Sequence, residues 1–175
     1  MDNRQPEWTG KEELTELKYR GHIVPGYKIA RTGLIISYKV SKKGRPLTWS
    51  RRSPKADYPA VKLQIPIETI GIAYSSKSYD LNHAKVGMIA RRVDVHLAVA
   101  DTWLWIDSCP LDLELYWSSF SIELKEIMRS YFQVDHIDND RWNPHVSNLR
   151  FVSPRHNNPH IKAAMQAEEA IKNSS

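Results

Sequence analysis

The chain has one cysteine, Cys109, among its 175 residues. A lone thiol excludes an intramolecular disulfide and also the two- and four-cysteine zinc clusters that staple many small nucleic-acid modules. A reducing compartment fits. No stretch approaches the roughly 20 apolar residues that a membrane helix needs, and the polar first ten residues hold no apolar export core. The expectation is a soluble, unexported chain of the cytoplasm with no membrane partner. Internal repeats and low-complexity tracts are also missing. What is present, 41% hydrophobic residues, is enough for one ordinary domain or two small ones sharing a core, and it argues against global disorder.

Acidic residues are scarce in one long segment. Between Lys28 and Lys62 there are ten basic residues against Asp57 alone, a local net charge of +9 in a chain whose total is +5, so the remainder carries −4. Such a segment attracts polyanions, although a solvated basic face with no specific partner is the common alternative. Lys39, Lys42, Lys43, Arg45, Trp49, Arg51, Arg52 and Lys62 are its candidate DNA-binding residues.

Thr9 to Glu12 has the spacing of a capping box, and the run from Glu12 to Arg20 predicts a short charged helix, giving an N-terminal helical segment over 1–22. From Gly26 the pattern changes. Tyr27 to Ile29 and Leu34 to Val40 read as two strands joined around Gly33, a hairpin. Ser41 to Pro46 and Ser50 to Asp57 are basic loops, and Val61 to Ile65 alternates like a half-buried strand. The basic, strand-rich module is placed at 23–75. Tyr74 to Lys85, rich in Ser, Asn, Asp and Lys, reads as a connecting loop. Asp94 can cap a helix whose apolar face carries Val95, Val99, Trp103 and Ile106, which makes Trp103 and Trp105 core residues. Ile122 to Tyr131 reads as another helix, and Ile161 to Lys172 as a C-terminal one of marginal intrinsic stability.

The most informative stretch runs from Val134 to Asn158. Gln133 to Ile137 can form a strand, Asp138 to Pro144 is dense in loop formers, and Asn148 to Val152 can form the returning strand. Ser153-Pro154 then offers an N-cap side chain and a first-turn proline, placing Asn157 at the end of a first helical turn. Strand, loop, strand and helix in this order make a ββα unit.

With Asp135-His136 on the first strand, Asn148-Leu149 on the second and Asn157 at the end, this stretch resembles the HNH nuclease motif, in the variant used by phage and intron-associated HNH homing endonucleases. Twelve positions separate His136 from Asn148 and nine separate Asn148 from Asn157, with Asn143 in the loop between. Val95 to Trp103 is similar to the helix that often precedes the motif in this group, and Gly26 to Gly33 resembles its N-terminal strand module. The resemblance implies an α+β fold: a small antiparallel N-terminal sheet, connecting helices, and a C-terminal ββα-metal (His-Me finger) nuclease unit over 76–175, with its motif at 134–158.

That resemblance also implies a chemistry. An imidazole with an ordinary pKa of about 6.5 can take a proton from water at cellular pH, which makes His136 the general base. Asp135 and Asn157 would hold one divalent cation; their hard oxygens suit Mg²⁺ or Mn²⁺ better than zinc. Asn148, grouped with His136 in the catalytic set, would bridge the loop and fix the His136 strand. Members of the group that end in His carry an imidazole where this chain has Asn157, which bears on metal preference.

Competing readings exist for several of these residues. His156 is an alternative third ligand, but its neighbour Asn157 is rotated from it by about 100° on a helix. His136, His145, His156 and His160 could form a zinc cluster, but Pro159 breaks the one turn that would align two of them. Asp138 to Asp140 suggests a Ca²⁺ loop but lacks its glycine and terminal Glu, leaving a solvated turn. The expected function is a metal-dependent endonuclease that nicks or cuts double-stranded DNA as a monomer, in the host cytoplasm if phage-encoded. The alternatives are a non-catalytic DNA-binding module on the same scaffold, or a ribonuclease or colicin-type toxin.

Overall fold

A computed structural model of the chain describes residues 4–51, 58–67, 87–105, 108–158, 161, 163 and 164. Among these residues, three antiparallel sheets and short helices make an α+β architecture. The first sheet has the order β1 (Leu14–Tyr19), β2 (His22–Ala30), β3 (Ile35–Ser37), β4 (Arg45–Pro46). The second has the order β5 (Ser50–Arg51), β6 (Pro59–Pro66), β7 (Met88–Asp94). The third is the two-stranded β8 (Gln133–His136) and β9 (Leu149–Val152). Helix α1 (Val95–Val99) runs directly out of β7 and continues as a π-helical stretch, Ala100–Leu104; α2 (Ile122–Arg129) precedes β8.

The hairpin expected around Gly33 is β2 and β3, in register Tyr27↔Ser37, Lys28↔Ile36 and Ile29↔Ile35. Alternation places the adjacent residues Ile35 and Ile36 on opposite faces, and both are fully buried. Ile35 joins the main core with Leu17, Val24, Leu63, Val93, Val99 and Phe151, whereas Ile36 joins a smaller cluster with Ala30 and Leu34. The main core thus draws on all three sheets and on α1, so the basic strands and the β8–β9 unit share one interior.

The N-terminal helix expected within 1–22 is not formed; Leu14–Tyr19 is strand β1, paired with β2. Half of the capping-box pattern is present nonetheless, since the Glu12 carboxylate accepts from the Thr9 backbone N–H at 2.8 Å. It closes a turn at Gly10, whose φ is +80°. Pairing with β2 and burial of Leu17 then override the helical propensity of a charged run, because the isolated helix would be too short to stand alone.

The π-helical stretch has a visible purpose. β1 is an edge strand, and edges expose unpaired backbone groups. Thr102 Oγ1 accepts from the Lys18 N–H at 3.0 Å, and Asp101 Oδ2 accepts from the Arg20 N–H at 2.8 Å, covering that edge. The other oxygen of buried Asp101 accepts from Arg129 Nη2 at 3.0 Å, and the Arg129 guanidinium lies 3.5 Å from the ring centroid of Phe151 on β9. One arginine thereby ties α2, the π-helical stretch and the third sheet together.

Helix α2 forms where a helix was expected over Ile122 to Tyr131 and ends at Arg129; Ser121 is its N-cap, accepting from the Leu124 N–H. The helix from Asp94 is present, with Val95 and Val99 fully buried and Trp103 packed against the core, but Asp94 makes no side-chain cap. Ile106 and the connecting loop expected at Tyr74 to Lys85 lie outside the described residues. So does most of the C-terminal helix, of which residues 161, 163 and 164 are helical.

Candidate active site

The β8–β9 pair is a hairpin of two four-residue strands in register Gln133↔Val152, Val134↔Phe151, Asp135↔Arg150 and His136↔Leu149. Valine, phenylalanine and leucine anchor it in the core, which holds the polar residues between them at fixed positions. By the period of two, Gln133 and Asp135 share one face of β8 and Val134 and His136 the other.

The loop between the strands is fixed by Asn148. Its Oδ1 accepts from the Asp138 N–H at 3.0 Å, and its Nδ2 donates to Asp138 Oδ1 and to the Asn143 carbonyl, both at 2.8 Å. Its own carbonyl accepts from the Ile137 N–H at 2.8 Å. Asn143 Nδ2 also donates to Asp138 Oδ2, at 2.7 Å. Burial pushes the Asp138 carboxyl up, but these hydrogen bonds, the Asp140 N–H and the nearby His136 outweigh it, so its pKa lies below the ordinary aspartate value. The acidic turn at Asp138 to Asp140 is therefore a self-bonded scaffold for the end of β8. It rests on the β2–β3 turn, where the Val146 N–H donates to the Arg31 carbonyl at 2.9 Å. Gly33 allows this contact: at φ +85°, a Cβ would stand 2.7 Å from Val95 Cγ1 and 2.9 Å from Pro144 Cγ.

Asp135 is 5% exposed, and its Oδ2 accepts from Arg150 Nε at 3.0 Å. Burying a carboxylate demands cationic compensation, and the cross-strand guanidinium supplies part of it. Asn157 closes a single helical turn after Ser153-Pro154, its N–H donating to the Ser153 carbonyl at 3.1 Å. Its Nδ2 donates to Gln133 Oε1 at 2.6 Å, which seats it on the Asp135 face of β8 and makes its carbonyl oxygen the candidate ligand atom. A buried carboxylate and an amide carbonyl on one face are a donor set of the kind Mg²⁺ or Mn²⁺ takes. Among the described residues no group of three His, Cys, Asp or Glu side chains is placed to hold a metal ion.

His136 is 4% exposed and lies on the other face. Its ring centroid is 5.0 Å from that of His96 on α1 and 5.7 Å from that of Tyr58. Tyr58 and His96 are 4.5 Å apart, and the Arg141 guanidinium sits 5.2 Å from the Tyr58 centroid. Burial, with His136 nearby, holds the His96 imidazole neutral with a pKa near 3. Asp135 and His136 thus meet different neighbours, joined by a single peptide link that keeps their Cα atoms about 3.8 Å apart.

His145 and His156 are engaged locally. His145 Nδ1 accepts from the Ser147 N–H at 3.2 Å, and His156 Nδ1 pairs with Ser153 Oγ at 3.0 Å. His160 lies outside the described residues.

Of the basic candidates, Lys39, Lys42, Lys43 and Arg45 are exposed around the β3–β4 end of the first sheet, and Arg51 and Lys62 are exposed on the second. Arg52 lies outside the described residues. Trp49 is a correction: it is 8% exposed within the main core, so its ring cannot stack on a nucleobase. Its position between basic loops hid the fact that its neighbours in space are Gly33 and the core.

Two residues placed beside these candidates were not foreseen. His96 stood within the quoted Val95 to Trp103 stretch, and its signal was a polar ring on an otherwise apolar helix. Arg92 is exposed on β7 directly opposite Lys62, outside the acid-poor segment that drew attention. Like charges directly opposite in a sheet are destabilising, and Arg92 Nη1 donates to the Arg51 carbonyl at 2.7 Å.

Residues 130–158 match the family described as HNH endonuclease. A solved structure titled "DNA binding and cleavage by the HNH homing endonuclease I-HmuI" is 19% identical, with a TM-score of 0.48, over 91% of this chain and 66% of that one. The chain therefore spans just under two thirds of that chain's length. No curated protein matches. The matched residues span the β8–β9 unit with its flanking turns. Among the described residues no helix is long and apolar enough to cross a membrane.

Proposed function

We propose that this chain is an HNH-type nuclease that hydrolyses phosphodiester bonds in double-stranded DNA, acting as a monomer with one divalent cation, Mg²⁺ or Mn²⁺. The observation that carries the reading is the seating of Asn157 on the Asp135 face of a strand whose next residue is a buried histidine, within the segment that matches the nuclease family.

When bound, the cation supplies Lewis-acid stabilisation of the charge that gathers on phosphate and leaving oxygen. Asp135 and Asn157 would hold it with a carboxylate and a carbonyl oxygen. His136 takes one proton from a water molecule, whose oxygen bonds to phosphorus as the bond to the 3′ oxygen breaks; that oxygen leaves and takes up a proton from solvent. Low exposure of His136 limits access to small groups such as water. Asn148 holds the loop that ends β8, and so fixes where His136 stands. Lys39, Lys42, Lys43, Arg45, Arg51, Lys62 and Arg92 neutralise backbone phosphates, so affinity falls steeply with salt. One site per chain suits nicking. The setting is the cytoplasm, that of a host if the gene belongs to a phage or mobile element, with homing as the form of use.

Supercoiled plasmid incubated with the protein and Mg²⁺ or Mn²⁺ should relax and then linearise, and EDTA or His136→Ala should stop it. Intact plasmid across several divalent cations, or equal cutting by His136→Ala, defeats the proposal. One observation favours the non-catalytic alternative: Arg150 already pairs with Asp135 Oδ2. Binding unaffected by EDTA, together with no cleavage, would establish it.

A further inference from the structure

The mechanism leaves a second imidazole beside His136 without a role. His96 is 6% exposed, and its ring is 5.0 Å from that of His136 at an interplanar angle of 57°. Its Nδ1 is buried with no hydrogen-bond partner among the described residues. A neutral imidazole has one donor and one acceptor nitrogen, and leaving either buried and unmatched costs more than an apolar ring of the same shape. The other buried residues of α1, Val95, Ala98 and Val99, are all apolar, and a phenylalanine would fill the space beside Tyr58 without that cost. A polar atom kept at this point calls for a partner that arrives with the substrate.

We infer that His96 is a second catalytic residue of the site, its Nδ1 accepting a hydrogen bond from the attacking water that His136 deprotonates. The inference rests on His136 being the general base. With the ring centroids 5.0 Å apart, one water can lie within about 3 Å of a nitrogen on each ring. That water directs one O–H to each imidazole. The proton aimed at His136 is the one transferred; the O–H aimed at His96 stays intact, and the oxygen lone pair is turned toward phosphorus. His96 gains no proton, so its work is orientation of the nucleophile.

Single-turnover cleavage of plasmid should be measured for wild type, His96→Phe, His96→Asn, His96→Gln and His136→Ala, with DNA affinity and melting temperature for each. The Asn amide stands near the position of Nδ1 and the Gln amide near that of Nε2. His96→Phe should cut about 10- to 100-fold more slowly with unchanged DNA affinity and undiminished melting temperature. His96→Asn should recover part of the rate, and more than His96→Gln. A wild-type rate in His96→Phe, or losses in all three variants that track their melting temperatures, overturns the inference. Should His96→Phe fail to fold, imidazole ¹⁵N NMR of the wild type with a plasmid-derived duplex in EDTA decides: an unprotonated Nδ1 whose resonance shifts on DNA binding supports it, and a protonated or unresponsive Nδ1 overturns it. A wild type that cuts no DNA removes the nuclease reading and this inference together; an active wild type beside a fully active His96→Phe removes this inference alone.

Discussion

Replacing Asn148 by Asp changes one atom of the side chain and reverses one of its functions. Oδ1 can still accept from the Asp138 N–H, but the donor that faced Asp138 Oδ1 and the Asn143 carbonyl, each at 2.8 Å, becomes a second carboxylate oxygen. Two unit charges at that separation repel by about 1.5 kcal/mol with the screening of bulk water and about 6 kcal/mol at an effective dielectric of 20. Asp138 is exposed, so the lower part of that range applies, and the lost hydrogen bonds add about 1 kcal/mol each. A destabilisation of about 3–4 kcal/mol at pH 7.5 is expected, against about 2–3 kcal/mol for Asn148→Ala. Acid separates the two. One carboxyl of the Asp pair must have a raised pKa in the folded state, and protonation restores a donor. The stability it brings is present below the unfolded pKa of about 4 and is lost as pH rises through the folded value. Urea unfolding of wild type and both variants at pH 4 and pH 7.5 reads this directly. Asn148→Asp should be the less stable variant at pH 7.5 and close the gap at pH 4. Equal penalties at both pH values would refute the assignment of Asn148 as donor to Asp138.

Three further outcomes follow from other parts of the fold. His96 has its pKa lowered from 6.5 to about 3; the unfolded chain binds the extra proton in that window, so stability falls as pH drops from about 6.5, by up to about 1.4 kcal/mol per unit. In urea titrations across that range His96→Phe should show a shallower fall than wild type, and parallel curves would contradict the shift. Gly33→Ala should cost about 2–3 kcal/mol in the same measurement, because its φ is +85° and the added Cβ meets Val95 and Pro144; a loss below about 0.5 kcal/mol would show that the β2–β3 turn does not support the β8–β9 loop. Breaking the buried pair with Asp101→Ala should cost about 3–5 kcal/mol, and Asp101→Leu combined with Arg129→Met should recover much of it; additive losses in this double-mutant cycle would mean the two residues act separately.

Much of this was legible in the sequence wherever local pattern and tertiary context agree. A strand formed within the β-branched run at Leu34 to Val40, though only over Ile35–Ser37, and the alternation at Val61 to Ile65 and the helix read over Ile122 to Tyr131 formed the expected elements with shifted ends. The run at Leu14–Tyr19 was misread because its charged residues suit a helix, and only the presence of β2 as a pairing partner makes it a strand. Asp101 illustrates the same limit: nothing local announces a buried carboxylate that caps an edge strand and pairs with Arg129. In the site, the spacing of Asp135, His136, Asn148 and Asn157 was readable because all four lie within one short segment. His96 was not, because its meeting with His136 depends on how α1 packs against β8, a contact between residues far apart in the chain.

The central claim is that Asp135 and Asn157 share one cation beside His136. Mn²⁺ titrated into His136→Ala protein bound to a duplex, followed by electron paramagnetic resonance, counts the ions bound without turnover. One Mn²⁺ per chain is predicted, with affinity lost when Asp135→Ala or Asn157→Ala is added. Unchanged binding in both of those variants, or no Mn²⁺ bound at all, would contradict it.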